Sequence, residues 1–138
     1  MAKTHIALDV SSVNEAVHFY QAFFGVAPFR VLPGYAQFLL EDPALNLALT
    51  ERSPVPESAH HFGIEVRDLP TVNQTMNRVR ASGLKPEIEV DSLCCYARQE
   101  KFWVRDPDGH RWEVFWVRER FLEGEHAAND TECCAETS

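Results

Sequence analysis

One short pattern occurs twice in the chain, and this internal repeat restricts the fold more than any other feature of the sequence. Residues 5–10 read His-Ile-Ala-Leu-Asp-Val, and residues 61–66, 56 positions later, read His-Phe-Gly-Ile-Glu-Val. Both segments alternate with the period of a β-strand. Ser12 and Asp68 follow at the same spacing and are helix N-cap residue types. The repeat therefore predicts two copies of one strand–helix unit.

Three further apolar segments follow each predicted helix. In the first half they are residues 29–32, 35–40 and 45–50, and in the second half residues 85–90, 101–105 and 111–117. Gly25 and Gly83 end the helices, and Asp-Pro-Asp-Gly at 106–109 predicts a hairpin turn. We expect an α+β fold of two tandem βαβββ modules, at residues 4–52 and 60–118. Their strands would form a cupped mixed β-sheet with the helices on its outer face.

The charge balance and hydropathy exclude two classes of partner. Lys and Arg number 13 against 21 Asp and Glu, so the net charge of −8 gives no basis for sequence-independent nucleic-acid binding. No apolar run approaches the roughly 18 residues of a spanning helix. The first residues, Met-Ala-Lys-Thr-His, lack a signal-peptide pattern, so we expect a cytoplasmic protein. Residues 119–138 are acidic and aperiodic, which predicts a disordered tail.

Strand parity predicts which polar side chains face away from the helices, because alternate residues point to opposite sides of a strand. The apolar residues of the first strand should pack against its helix, which leaves His5 on the opposite side. The same reasoning places His61 and Glu113 on that side of the second module and favours His61 over His60. Two imidazoles and one carboxylate can hold a divalent metal and leave coordination positions open. A salt bridge from Lys101 or Arg111 is the alternative explanation of Glu113.

The four cysteines form two adjacent pairs, Cys94-Cys95 and Cys133-Cys134. Adjacent cysteines are poor structural crosslinks, since a disulfide between them is strained and constrains almost no chain. Thiols that bind a soft element fit better, and small loop residues are the alternative. For the second pair, capture of a soft ligand and no role at all remain equally open.

These segments together resemble the vicinal-oxygen-chelate superfamily, which includes glyoxalase I, extradiol dioxygenases and fosfomycin-resistance enzymes. The paired layout, the two strand motifs and Asp-Pro-Asp-Gly-His-Arg-Trp-Glu-Val-Phe at 106–115 carry the resemblance, over about residues 4–118. Within the superfamily, Val-Asp-Ser-Leu-Cys-Cys-Tyr-Ala at 90–97 makes the chain most similar to organoarsenical carbon–arsenic lyases and their cadmium-induced relatives.

The resemblance implies a non-haem Fe(II) enzyme that uses O₂ to break the carbon–arsenic bond of trivalent methyl or aromatic arsenicals. The implied iron ligands are His5, His61 and Glu113, and the implied arsenic ligands are Cys94 and Cys95. The preference of soft arsenic for thiolates agrees with this assignment. Tyr96 and Lys101 lie near these residues and are candidate catalytic residues.

Other functions also fit the sequence. A thiol transferase that confers antibiotic resistance could use the same ligands with Mn²⁺, and a soft-metal protein could bind cadmium or arsenic without catalysis. A glyoxalase-like isomerase is disfavoured, because it needs a fourth protein ligand and residues 45–50 contain no acid. Nickel, cobalt or zinc could replace iron in such a site. The preferred arsenical and the choice between monomer and homodimer also stay open.

Overall fold

The computed structural model describes residues 2–57, 59–94 and 97–120, with side chains placed for all of these except 90–99 and 118–120. The expectations for Cys95, Tyr96, residues 121–138 of the acidic tail and the Cys133-Cys134 pair lie outside the described residues. The first two residues of the predicted tail, 119 and 120, belong to a strand instead.

The first module forms a four-stranded mixed sheet with one helix. Its elements are β1 (Thr4–Val10), α1 (Val13–Phe24), β2 (Arg30–Leu32), β3 (Tyr35–Glu41) and β4 (Ala44–Glu51). The strand order is β1-β4-β3-β2, with β1 parallel to β4 and the remaining pairs antiparallel. This is the βαβββ connectivity that the repeat predicts.

The second module repeats this arrangement. Its elements are β5 (His61–Val66), α2 (Leu69–Ala81), β6 (Glu87–Cys94), β7 (Ala97–Arg105) and β8 (Arg111–Arg120). The order is β5-β8-β7-β6, with β5 parallel to β8. The predicted fold class, two tandem βαβββ modules with mixed sheets, is confirmed.

Both helices begin at the predicted caps. The Ser12 hydroxyl accepts a hydrogen bond from the Glu15 N–H at 3.2 Å, and an Asp68 carboxylate oxygen accepts one from the Thr71 N–H at 2.8 Å. The Thr71 hydroxyl and then its N–H, both donating to Asp68, lower the pKa of that carboxyl. Gly25 ends α1 at a φ of +70°. No helix in the described part of the chain has the length and apolarity to cross a membrane.

The hairpin formed by β6 and β7 is longer than the sequence predicts. The expected strands end at residue 90 and begin again at residue 101, whereas the observed pairing continues to Cys94 and Ala97. The reason is that β8 runs on to Arg120, whose backbone pairs with Ala97 and supports the outer half of the hairpin. A register shift between Glu89 and Ser92 interrupts the β6–β7 pairing, and another between Arg98 and Gln99 interrupts the β7–β8 pairing.

The helix-bearing faces of the two sheets share one hydrophobic core. Tyr20 of α1 lies at its centre, where its hydroxyl donates to the Asp106 carboxylate at 2.7 Å and accepts from Trp112 Nε1 at 3.1 Å. Burial, together with the Asp106 charge, raises the pKa of Tyr20 well above its ordinary value, so the phenol stays a neutral donor. This buried chain of hydrogen bonds joins the first module to the second.

A second polar contact joins the modules at the end of α1. The Arg78 guanidinium of α2 donates to the carbonyl oxygens of Ala22 and Phe23 at 3.0 and 2.7 Å. Carbonyl groups in the last turn of a helix lack partners within that helix. Because both helix-bearing faces are occupied by the core, the opposite, open face of each sheet is where polar side chains can meet a ligand.

Candidate functional site

The open face of the second sheet brings two of the predicted metal ligands together. Glu113 of β8 is paired in register with Gly63 of β5, and His61 lies one alternation earlier on the same face. His61 Nε2 is 4.0 Å from Glu113 Oε2. This distance is too long for a hydrogen bond, whereas two ligands of one metal ion, each about 2.1 Å from it, lie about 3 to 4 Å apart. The pair therefore fits one side of a metal site.

Gly63 allows the Glu113 carboxylate to lie against the backbone of β5. A Cβ atom at this position would be 3.1 Å from Glu113 Cγ and 3.0 Å from Phe115 Cε1, closer than such atoms normally approach. The glycine therefore helps to set where the carboxylate can lie. Strand parity places Gly63 on the open face but does not reveal this contact, which depends on the cross-strand register.

Lys101 provides the salt bridge that the sequence offered as an alternative explanation of Glu113. Its ammonium lies 3.4 Å from Glu113 Oε2 and 4.0 Å from Glu89 Oε2, and the side chain is 3% exposed. The rings of Trp103 and Phe115 have their centroids 5.5 and 5.9 Å from Lys101 Nζ. The buried carboxylate is thus balanced by one cation and still faces His61.

His5 lies on the open face of the first sheet. Its Nδ1–H donates to the carbonyl oxygen of Asn46 at 3.0 Å. This hydrogen bond assigns the proton to Nδ1 and leaves the Nε2 lone pair available to a metal, the arrangement in which metal-binding histidines usually occur. The imidazole is exposed.

The described structure therefore joins His61 with Glu113 and holds His5 on a separate sheet. In the part of the chain that the structure describes, no three His, Cys, Asp or Glu side chains lie close enough together to hold a metal ion. The set of three protein ligands stays a prediction. The predicted set takes its one carboxylate from the second module. This agrees with the repeat, because the position in the first sheet that corresponds to Glu113 is occupied by Ala48, which cannot bind a metal.

Cys94 is the last residue of β6, at the outer end of the long hairpin. Its backbone pairs with Ala97, whereas Trp103 of the same strand β7 pairs with Glu113. Six residue steps in an extended strand correspond to about 20 Å. Cys94, the predicted arsenic ligand, and the His61–Glu113 pair thus belong to the same sheet but lie at different positions along the direction of its strands.

The turn between β7 and β8 makes contacts that the sequence did not predict. His110, which follows the predicted turn, donates from Nε2 to the Asp9 carbonyl oxygen at 3.0 Å. Asp108 accepts a hydrogen bond from the Ser11 N–H at 3.0 Å. These bonds tie the start of the strand that carries Glu113 to the end of the strand that carries His5. Their role is to fix the modules against each other.

Comparison with known proteins places this architecture in a family. The Glyoxalase/Bleomycin resistance protein/Dioxygenase superfamily model matches residues 4–114. The chain belongs to this superfamily. A glyoxalase/bleomycin resistance protein/dioxygenase from Alicyclobacillus acidocaldarius superposes with a TM-score of 0.69, at 19% identity, over 86% of this chain and 92% of the other. That likeness supports the fold alone.

Relatives with closer sequences include proteins named for arsenic and cadmium. The chain is 36% identical to a trivalent organoarsenical cleaving enzyme of Bacillus sp. strain MD1, over 100% of this chain and 93% of the relative. It is 38% identical to the cadmium-induced protein CadI of Mycobacterium bovis, over 85% of this chain and 77% of the relative. The resemblance seen in the sequence motifs is confirmed at the level of the superfamily and of these relatives.

We predict that Gly63→Ala weakens metal binding about tenfold, because a methyl group would displace the Glu113 carboxylate, and misplaced ligand support typically costs 10- to 100-fold in affinity. Titration of the purified protein with Co²⁺ or Fe²⁺ under nitrogen measures this effect. Ala7 is the counterpart of Gly63 in the first module, so Ala7→Gly is the matched control and should bind metal like the wild type. Equal affinity of Gly63→Ala and wild type would contradict the assigned contact.

Proposed function

We propose that the protein cleaves the carbon–arsenic bond of trivalent organoarsenicals, with Fe(II) and O₂, and releases arsenite. The observation that carries this proposal is that one sheet holds both the His61–Glu113 pair, with its buried carboxylate, and Cys94 at the end of its hairpin. The relatives named as organoarsenical cleaving enzymes support the same reaction class. Fe(II), when bound, would supply the O₂ chemistry that no protein side chain provides.

The metal ligands in this proposal are His61 and Glu113 from one open face and His5 from the other. The donor set fits, since each imidazole can present Nε2 and the carboxylate is held in place by Gly63 and Lys101. Three protein ligands leave coordination positions open for a substrate or co-substrate. Lys101 acts as a positioning residue, because its ammonium balances the charge of Glu113 and holds Oε2 on one side.

His5 reaches this set from a second copy of the chain. Within one chain the core occupies the helix-bearing faces, and the two open faces with His5 and with His61–Glu113 lie on its far sides. In a twofold homodimer, the open face of the first sheet of one copy can cover the open face of the second sheet of the other. Two equivalent sites result, and each contains residues of both copies.

Cys94 and Cys95 hold the arsenic atom through their thiolates. The carbon substituent of the arsenic then remains free to face the metal ligands. The hairpin must bend for the thiols to approach His61 and Glu113, given the distance along β7. The register shift between Glu89 and Ser92 of β6, and a second one between β7 and β8 at Arg98, mark the place for such a bend, because β-bulges locally bend and twist strands. Holding both reacting groups in place would supply much of the rate.

We expect Fe(II)-loaded protein to release arsenite from trivalent phenylarsenical when air is admitted, with repeated turnover. Cys94→Ser/Cys95→Ser should reduce release to the uncatalysed background, because a hydroxyl is a poor ligand for arsenic. Arsenite is quantified by chromatography with elemental detection.

Cys133→Ser/Cys134→Ser removes the other vicinal pair and serves as the matched control. Stoichiometric retention of the arsenical without release of arsenite would favour a soft-metal binding protein. Undiminished arsenite release by the Cys94→Ser/Cys95→Ser variant would contradict the proposed role of these thiols.

Mixing two inactive variants tests the shared site. His5→Ala and Glu113→Ala should each be inactive alone, whereas a mixed refolded or co-expressed sample should regain about a quarter of wild-type activity. Random pairing makes half of the dimers mixed, and each of these contains one intact site of two. A mixture that is no more active than its components, with both variants folded and dimeric, would show that His5 acts within its own chain or not at all.

A further inference from the structure

Two aromatic side chains, Trp103 and Phe115, stand on the open face around the His61–Glu113 pair. The Trp103 ring centroid is 5.2 Å from that of the His61 imidazole, and the planes meet at 73°. Both aromatic residues are only partly buried, whereas the neighbouring Phe102, which points into the core, is 0% exposed. Part of each aromatic surface is therefore available to a molecule held beside His61.

Arg111 borders the same surface on its outer side. Its guanidinium carbon lies 5.8 Å from the Trp103 ring centroid, and one nitrogen donates to the Ala59 carbonyl oxygen at 3.3 Å. A guanidinium has five N–H donors. Among the side chains that the structure describes, no carboxylate forms an ion pair with Arg111. Lys101 differs, since it is buried and faces Glu113.

We infer that Trp103, Phe115 and Arg111 form an aryl-binding surface that sets the substrate class of the proposed reaction. This inference rests on the proposed function and makes it more specific. The surface selects arsenicals with an aromatic ring over methyl arsenicals, and it favours rings that carry an anionic oxygen substituent such as a carboxylate. Trp103 and Phe115 contact the ring, and Arg111 donates to the substituent.

The size and charge of the surface account for this selectivity. A methyl group bound to arsenic is too small to contact both the metal-ligand pair, His61 and Glu113, and the Trp103 indole. A phenyl ring is large enough to contact both. Ring–ring contact of this kind corresponds to about a fivefold gain for the aromatic substrate. Paired hydrogen bonds between a guanidinium and a carboxylate are stronger than neutral ones, and at this partly exposed position they correspond to about a tenfold gain.

The test compares kcat/KM for trivalent methyl-, phenyl- and 4-carboxyphenylarsenicals, with arsenite release as the readout. Trp103→Leu should lower the phenyl-to-methyl ratio about fivefold, and Trp103→Phe, which keeps a ring, should restore most of it. Arg111→Gln should lower the carboxyphenyl-to-phenyl ratio about tenfold. Arg105, which is exposed and paired in register with Arg111, provides the matched control for charge, and Arg105→Gln should change that ratio less than about twofold.

The outcomes separate the two proposals. Arsenite release with ratios that Trp103→Leu and Arg111→Gln leave unchanged would overturn the aryl-binding surface while the proposed function stands. Equal shifts in Arg111→Gln and Arg105→Gln would also overturn it, because the effect would then be one of overall charge. Release of arsenite from none of the three arsenicals would overturn the proposed function and this inference with it. Circular dichroism of each variant confirms that it is folded.

Discussion

The hydrogen-bonded chain from Trp112 through Tyr20 to Asp106 is the interaction on which the rest of the structure depends. It joins the first helix to the strand and turn of the second module inside the common core. A buried phenol and carboxylate are costly unless both are satisfied, and here each has its partners. The shared core buries the helix-bearing faces of both sheets. The opposite, open faces carry the proposed metal ligands, His5 on one sheet and His61 with Glu113 on the other.

The second sheet carries hard and soft donor groups at different positions along its strands. The imidazole of His61 and the carboxylate of Glu113 are donor types that suit a first-row metal, and Gly63 and Lys101 set the position of the carboxylate. Cys94 lies at the far end of the β6–β7 hairpin, and thiolates prefer softer elements such as arsenic. The proposed reaction needs the thiols and the metal ligands to act on one small molecule. The hairpin therefore has to bend, so that the thiols approach His61 and Glu113, from which they are separated along the strands in the described structure.

Much of the fold follows from local rules, and the sequence predicts it well. The capping residues Ser12 and Asp68 depend only on neighbours along the chain, and so does the strand parity that turns Trp112 to the core and Glu113 to the open face. The length of the β6–β7 hairpin was wrong in the prediction, because it is decided by pairing with a distant strand. The contact between Gly63 and Glu113 depends in the same way on cross-strand register. The position of His5 relative to His61 depends on how the two sheets pack, and strand parity does not predict that packing.

The central claim is that the thiols and the metal ligands act on one and the same molecule. The visible absorption of the Co²⁺-substituted protein, recorded under nitrogen while trivalent phenylarsenical is added, tests this most directly. The bands should shift in the wild type, because arsenic held by the thiols brings its substituent to the metal, and they should stay constant in Cys94→Ser/Cys95→Ser. A spectrum that does not respond in the wild type, although the arsenical is bound, would contradict the account.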